Sequence, residues 1–302
     1  VKLNLEQIPR VKTITKEEFL KKYVTLQKPV VIEQLTVDWP AYTKWNLSYI
    51  NDVAGNKTVP LYDDRPVSSE RRFNEAHTSM RMREYLNLLE QGPTNYRIFL
   101  YNLLKEAPLL QEDFRYPEEI GLKFMKKLPF LFFGGSGSKV FMHYDIDLAN
   151  ILHFHFHGEK QCILFPPSET KYLYKLPHSL LSHQGIDYTN PDFKKWPALK
   201  HAKGYIANLK HGETLYMPEG YWHHMTYLTP GFSMSIRSAA QGVTQFSKAC
   251  YNVFFMRYLD NFMRKTRGEK WIDYKNNKAV LRTNKRNDYS KKQNLDYEQE
   301  TQ

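Results

Sequence analysis

Between about residue 130 and residue 238 the chain alternates short apolar runs with Gly, Pro, Asn and Asp turns; KQCILF (160–165), ETLYMP (213–218) and GFSMSIRS (231–238) are the clearest. Runs too short for helices and bounded by turn formers predict an antiparallel sandwich or barrel. In GFSMSIRS, Ser233, Ser235 and Arg237 alternate with Phe232, Met234 and Ile236, so one strand face is polar. The flanks read differently. TKEEFLKKYVTLQ (15–27) has a Thr cap and sets Phe19, Leu20 and Tyr23 on one helical face. KPVVIEQL (28–35) is a β-branched strand, and VDWPAYTKW closes it with turn residues. MRMREYLNLLEQG (80–92) is a helix stopped by Gly-Pro, and NYRIFLYNLL (95–104) a further strand. Beyond 240, Phe246, Cys250, Val253, Phe254, Tyr258 and Phe262 recur at three- and four-residue steps, which predicts an amphipathic helix. From 281 the sequence is polar and carries both charges, so a flexible tail is expected. The pattern is mainly β with flanking helices, in four stretches: 1–130, 131–240, 241–280 and 281–302.

Composition adds limits. A chain of 302 residues, 41% hydrophobic and 15% aromatic, buries a sizeable core as one large domain or two ordinary ones. Cys162 and Cys250 are too few for a disulfide framework and predict reduced thiols in a cytoplasmic protein. The opening VKLNLEQIPRVK has no signal-like apolar stretch, and no apolar run of about 18 residues follows, so no membrane span is expected. The net charge of +11 admits an acidic partner such as nucleic acid, although without a dense basic cluster it also fits lysines spread over a solvated surface. No internal repeat, P-loop, dinucleotide fingerprint or zinc-finger spacing occurs.

The candidate chemistry lies in VFMHYDIDLANILHFHFHGEKQCILF (140–165). His143 and Asp145 form an H-x-D pair, and in extended chain residues two apart project to one side, where an imidazole and a carboxylate reach one ion. A third ligand must come from another strand. The other tight histidine pair is His223-His224, in HGETLYMPEGYWHHMTYL (211–228). Two histidines and one carboxylate leave open positions, which suits a non-haem Fe(II) that also binds a cosubstrate and O2. Alone, H-x-D is a weak signal; joined to a distal histidine in a β-rich half it is a strong one.

Taken together, KPVVIEQLTVDWPAYTKW, HYD, GEKQCILFPPSETKYLY and HGETLYMPEGYWHHM resemble, in order and spacing, the JmjC/cupin-like branch of the Fe(II)- and 2-oxoglutarate-dependent oxygenases. The resemblance covers most of the chain. It implies a double-stranded β-helix, the jelly-roll or cupin barrel, with an N-terminal α/β elaboration and a C-terminal helical segment that pairs two copies. It implies iron ligands His143, Asp145 and His223, the last preferred over His224 because the family's ligand directly follows an aromatic pair, here Tyr221-Trp222. Lys160 matches the family's lysine for the distal carboxylate of 2-oxoglutarate, and Asn150 a polar residue that contacts the same ligand. Tyr101 or Tyr96 is placed to add a phenol. Arg237 is a rival anchor, since other 2-oxoglutarate oxygenases hold this carboxylate from the last core strand.

The chain also departs from the family. Val140 stands where relatives often carry threonine, and the segment from Asp145 to Gly158 is about two residues longer, which either flips a strand's faces or forms a bulge. His153, His155 and His157 alternate with Phe154 and Phe156. An inward Asn150 would turn the histidines into an outer row, the favoured expectation; a bulge would line the pocket with them. Hydroxylation of a polypeptide side chain is the expected activity, with a nucleic-acid base or small metabolite as alternatives. A metal-dependent cupin that does not use 2-oxoglutarate would lack a reason for Lys160 and Arg237, and a non-enzymatic cupin would not need an intact trio.

Overall fold

The computed structural model describes residues 2–72 and 75–300, with side chains as far as Asn287. The N-terminal part contains β1 (Asn4–Gln7), β2 (Arg10–Val11), α1 (Lys16–Phe19), β3 (Val30–Ile32), α2 (Pro40–Lys44) and α3 (Leu47–Ala54). It continues with the pair β4 (Thr58–Leu61) and β5 (Thr78–Arg81), then α4 (Met82–Gln91), β6 (Arg97–Tyr101) and α5 (Leu103–Glu106). The central strands are β7 (Phe130–Gly134), β8 (Lys139–His143), β9 (Asn150–His157) and β10 (Lys160–Phe165). They are followed by β11 (Lys203–Leu209), β12 (Thr214–Met217), β13 (Trp222–Tyr227) and β14 (Gly231–Ser238). Helices α6 (Val243–Tyr251), α7 (Arg257–Arg267) and α8 (Glu269–Glu300) end the chain.

The strands form a five-stranded sheet, β1-β11-β10-β13-β8, facing a seven-stranded sheet, β2-β3-β12-β9-β14-β7-β6. From β7 to β14 the chain passes back and forth between the two sheets, which makes the expected double-stranded β-helix. Residues before Phe130 extend its edges: β1 joins one sheet, and β2, β3 and β6 the other.

Period-two alternation sorts each strand's side chains. Outward from the larger sheet, Leu152, Phe154, Phe156, Met234 and Ile236 pack under the N-terminal helices against Phe19, Trp39, Trp45 and Ile50. Trp45 meets Phe156 edge-on at 4.6 Å between centroids. Truncating either buried aromatic to alanine would cost about 3–5 kcal/mol. Outward from the smaller sheet, Ile163, Phe165 and Trp222 pack against Tyr174, Tyr188 and Trp196 of the segment between β10 and β11. Between the sheets lies an apolar layer that includes Ile151, Cys162, Leu164, Leu215 and Met225. The turn into β10 requires glycine: Gly158 has φ +78°, and a Cβ there would stand 2.3 Å from the Pro230 carbonyl oxygen.

Helices α6 and α7 are joined through a π-helical turn at Asn252–Met256. Asp260 ties α7 to α8, accepting hydrogen bonds from Trp271 Nε1 at 2.8 Å and Lys275 Nζ at 2.6 Å. The tail expected to be flexible from residue 281 instead continues α8, because its inner face has partners. Arg282 donates to the Lys175 carbonyl, Tyr174 Oη donates to Asn284 Oδ1, and Thr283 is buried. The helix runs to Glu300, and residues 301–302 lie outside the described residues. The apolar stripe of α6 and α7 does not fold back over the barrel: Phe254, Tyr258 and Phe262 are 73%, 67% and 63% exposed. No described helix is long and apolar enough to cross a membrane.

Candidate metal and cosubstrate site

Strand β8 ends at His143, and the turn that follows carries Asp145; β13 runs antiparallel beside β8 with His223 opposite His143. This register brings together three residues far apart in sequence. Their ligand atoms all lie within 4.8 Å of one another. Asp145 Oδ1 is 3.6 Å from His143 Nε2 and 3.8 Å from His223 Nε2. Both imidazoles are orientated from behind by main-chain carbonyls: Phe141 O at 2.7 Å from His143 Nδ1, and Tyr221 O at 3.2 Å from His223 Nδ1. A carbonyl opposite Nδ1 accepts its N–H, so the ring proton sits on Nδ1 and Nε2 keeps its lone pair, the tautomer a metal requires.

The electrostatics agree. Burial, helped by the neighbouring His223, holds His143 down to about 3, and burial also lowers His223. Both rings are therefore neutral at pH 7. Burial alone would raise Asp145, but the Arg237 guanidinium outweighs it and keeps the carboxyl ionised. Two neutral imidazoles and one carboxylate, converging and backed by hydrogen bonds, fit a divalent transition metal. His224 takes the other side of β13, where burial lowers it to about 4 and its ring packs near Tyr188. Alternation alone thus separates the two adjacent histidines.

Arg237 donates to Asp145 Oδ2 at 2.8 Å and spans both oxygens of Asp147 at 3.0 and 3.1 Å. Ser233, Ser235 and Arg237 share one face of β14, as alternation required, and that face is the barrel interior, but the arginine is committed to two carboxylates. Lys160 is different. Its Nζ, on a residue 1% exposed, donates to Ser233 Oγ at 2.8 Å, sits 3.2 Å from His153 Nε2 and lies 4.2 Å over the Tyr227 ring. Among the described residues it makes no ion pair. Burial brings it down to about 7. Lys160, the trio and Arg237 line one internal cavity. A wider cleft adjoins it, sharing His143, Asp145, Phe99, Leu100 and Arg237, and opens between Leu128, Phe130, Leu180 and helix α7.

Two expected cosubstrate contacts are not in this cavity. Asn150 faces the opposite way, donating to Glu219 Oε1 at 3.0 Å and accepting from Tyr216 Oη at 2.7 Å. The chain between Asp145 and β9 runs through a turn with Leu148 at φ +50°, so β9 begins with Asn150 outward. His153 and His155 therefore face the interior, and the expected outer histidine row is overturned. A register shift opposite Phe232 and Ser233 puts a bulge near Phe156, and beyond it His157 returns to the outer side, stacked on Phe232 at 6.2 Å. Tyr101 is directed outward to the Thr58 carbonyl at 3.2 Å, and Tyr96 also lies away from the cavity; Phe99 is the aromatic of β6 that lines it. The phenol beside Lys160 belongs to Tyr227. Counting by twos from His223 through Met225 reaches it, so that signal was present in the sequence. The same count from His143 through Asp145 reaches Asp147, the second carboxylate on Arg237.

Comparison with known proteins agrees with this geometry. Residues 16–291 match the family described as the cupin-like domain. The chain belongs to the cupin-like domain family. Relatives include lysine-specific demethylase 8 of Xenopus tropicalis, 30% identical over 241 residues that make up 76% of this chain and 52% of that protein. The human tRNA wybutosine-synthesizing protein 5 is 27% identical over 244 residues, 72% of this chain and 73% of that protein. Jumonji C domain-containing protein 5 of Drosophila melanogaster is 28% identical over 241 residues, 76% of this chain and 59% of that protein. The chain thus spans little more than half the length of the first of these relatives. The match places it in the JmjC-like part of the cupin-like family.

Proposed function

We propose that the chain is an Fe(II)- and 2-oxoglutarate-dependent oxygenase that hydroxylates a side chain of a polypeptide. One observation carries this reading: a His-Asp-His trio lines the same cavity as a buried lysine that has no carboxylate partner among the described residues. A metal-binding cupin has no use for such a lysine, whereas a dicarboxylate chelated at the metal needs a cation at its far end.

His143, Asp145 and His223 would hold the iron. With iron, 2-oxoglutarate and O2 bound, the available chemistry is oxidative decarboxylation to succinate and CO2 coupled to hydroxylation of a C–H bond. The protein's own share is positional. Lys160 receives the distal carboxylate, and Ser233 and the Tyr227 ring hold the ammonium in place. Arg237 fixes the orientation of Asp145 from the side away from the histidines. Apolar walls from Phe99, Phe132, Ile151, Met217 and Met225 exclude water around the chelating end. The wider cleft beside the trio would admit the substrate.

The polypeptide reading draws support from the relative named as a lysine-specific demethylase, and the relative named for tRNA wybutosine synthesis supports a nucleic-acid base as the second reading. The net charge of +11 suits either an acidic peptide or RNA. The test is anaerobic titration with Fe(II) and then 2-oxoglutarate, followed by a succinate assay in air with peptide and tRNA pools. Stoichiometric metal binding, 2-oxoglutarate binding and substrate-stimulated succinate support the proposal. A chain that binds metal but not 2-oxoglutarate refutes it.

A further inference from the structure

The anchor role given to Lys160 leaves an adjacent histidine without a task. His153 Nδ1 is engaged by Ser235 Oγ at 2.7 Å, which fixes the ring and aims Nε2 at Lys160 Nζ, 3.2 Å away. His155, on the same face of β9, is satisfied at both nitrogens by oxygen, with Ser233 Oγ at 2.7 Å and the Gly158 carbonyl at 2.9 Å. His153 Nε2 instead faces another basic nitrogen. Two such nitrogens can share one hydrogen, but in a buried site they cannot both be cations without an anion.

Among the described residues the surroundings offer none. The groups that face the pair are His155 from β9, Cys162 from β10, His223 and Tyr227 from β13, Arg97 from β6 and Arg237 from β14. The nearest acid lining the cavity, Asp145, is paired with Arg237. Cys162 is a thiol, since burial pushes it up to about 12. Lys160 Nζ lines the cavity, where it can bond a carboxylate brought in from outside directly while His153 Nε2 accepts another of its hydrogens.

We infer that Lys160 and His153 form one composite anchor for the distal carboxylate of a dicarboxylate cosubstrate, and that the pair binds a proton from solvent as that carboxylate enters. The inference rests on the 2-oxoglutarate reading above. The balance is simple: the ligand enters as a dianion, one solvent proton goes to the Lys160 Nζ lone pair, and no carbon bond changes. Burial, which brings Lys160 to about 7 and His153 well below its ordinary range, agrees with a pair that is largely uncharged at pH 8 until an anion arrives.

The test is calorimetric titration of the full Mn(II)-loaded chain with 2-oxoglutarate at pH 8, in phosphate and in Tris, whose ionisation enthalpies differ. The difference in heat should correspond to uptake of about one proton per ligand. 2-Oxopentanoate, which chelates in the same way but lacks the distal carboxylate, should take up none. His153→Phe should retain Mn(II) affinity, which reports an intact fold, and bind 2-oxoglutarate at least about tenfold more weakly, the loss expected for one charge-assisted hydrogen bond. His153→Gln, whose amide oxygen restores an acceptor near the same place, should recover much of that loss. Tight binding with no proton uptake, or His153→Phe binding as well as the unmutated chain, overturns the composite anchor alone. Failure of the metal-loaded chain to bind 2-oxoglutarate overturns the cosubstrate reading and this inference with it.

Discussion

Replacing Lys160 by methionine should make the protein more stable and unable to use 2-oxoglutarate. The lysine is 1% exposed and has no ion-pair partner among the described residues, so folding takes an ammonium out of water with no anion in return. Burial moves it from the ordinary lysine value of 10.5 to about 7. At about 1.4 kcal/mol for each factor of ten, that gap opposes folding by roughly 5 kcal/mol at pH 6 and about 3 kcal/mol at pH 8. Losing the hydrogen bond to Ser233 and the contact with the Tyr227 ring returns about 1 kcal/mol each. The net gain for Lys160→Met at pH 8 is then on the order of 1 kcal/mol, and nearer 3 kcal/mol at pH 6. The sign with pH follows from a folded value below the unfolded one. The penalty in the unmutated chain is complete below pH 7 and fades as the pH rises towards the unfolded value, so the variant's advantage must shrink over that interval. Urea unfolding of both proteins from pH 6 to pH 9, at fixed metal, measures the gap. Saturating 2-oxoglutarate should then stabilise only the unmutated protein, by about 2.7 kcal/mol at a hundred times its Kd, and reverse the ranking at pH 8. A variant less stable than its parent at pH 6, or a gap that does not change with pH, would refute the reasoning.

Three further outcomes test other parts of the site. His143→Ala and His223→Ala should each abolish stoichiometric Fe(II) binding, while His224→Ala, whose ring lies on the far face of β13, should retain it; the reverse pattern in a metal titration would displace the site. Arg237→Leu leaves Asp145 buried and uncompensated, a loss of about 3–5 kcal/mol when one partner of a buried pair is removed, and saturating Mn(II) should recover much of it by supplying the missing charge. Equal losses with and without metal, by thermal unfolding, would separate Arg237 from the metal site. The exposed stripe on α6 and α7 should pair two copies of the chain, so that Phe254→Glu with Tyr258→Glu yields a folded, iron-binding monomer; light scattering that finds the unmutated protein monomeric at micromolar concentration ends that proposal.

What the sequence made legible follows from which interactions are local. Strand alternation is fixed by backbone geometry, so the polar face of β14 and the separation of His223 from His224 could be read directly, as could the β-rich centre and its helical flanks. The absolute facing of a strand is another matter, because it depends on the turn that starts it. Asn150 was misplaced for that reason: the turn through Leu148 brings β9 in on the other phase, and one residue's error in phase exchanges every side chain between core and cavity. The same phase that removes Asn150 from the cavity brings His153 in, so the error and the composite anchor have one cause. Helix α8 was misread because a polar tail can be ordered by contacts whose partners, Tyr174 and Lys175, lie more than a hundred positions away.

The interior of the barrel also shows why its polar half is informative. Leu164, Cys162 and Lys160 succeed one another on the inner face of β10, from apolar core to buried cation. A core built for stability alone would place an aliphatic side chain at the third position, as Lys160→Met would do. A lysine held there against its own desolvation, beside a histidine and with no carboxylate partner among the described residues, fits a site shaped for an anion brought in from outside.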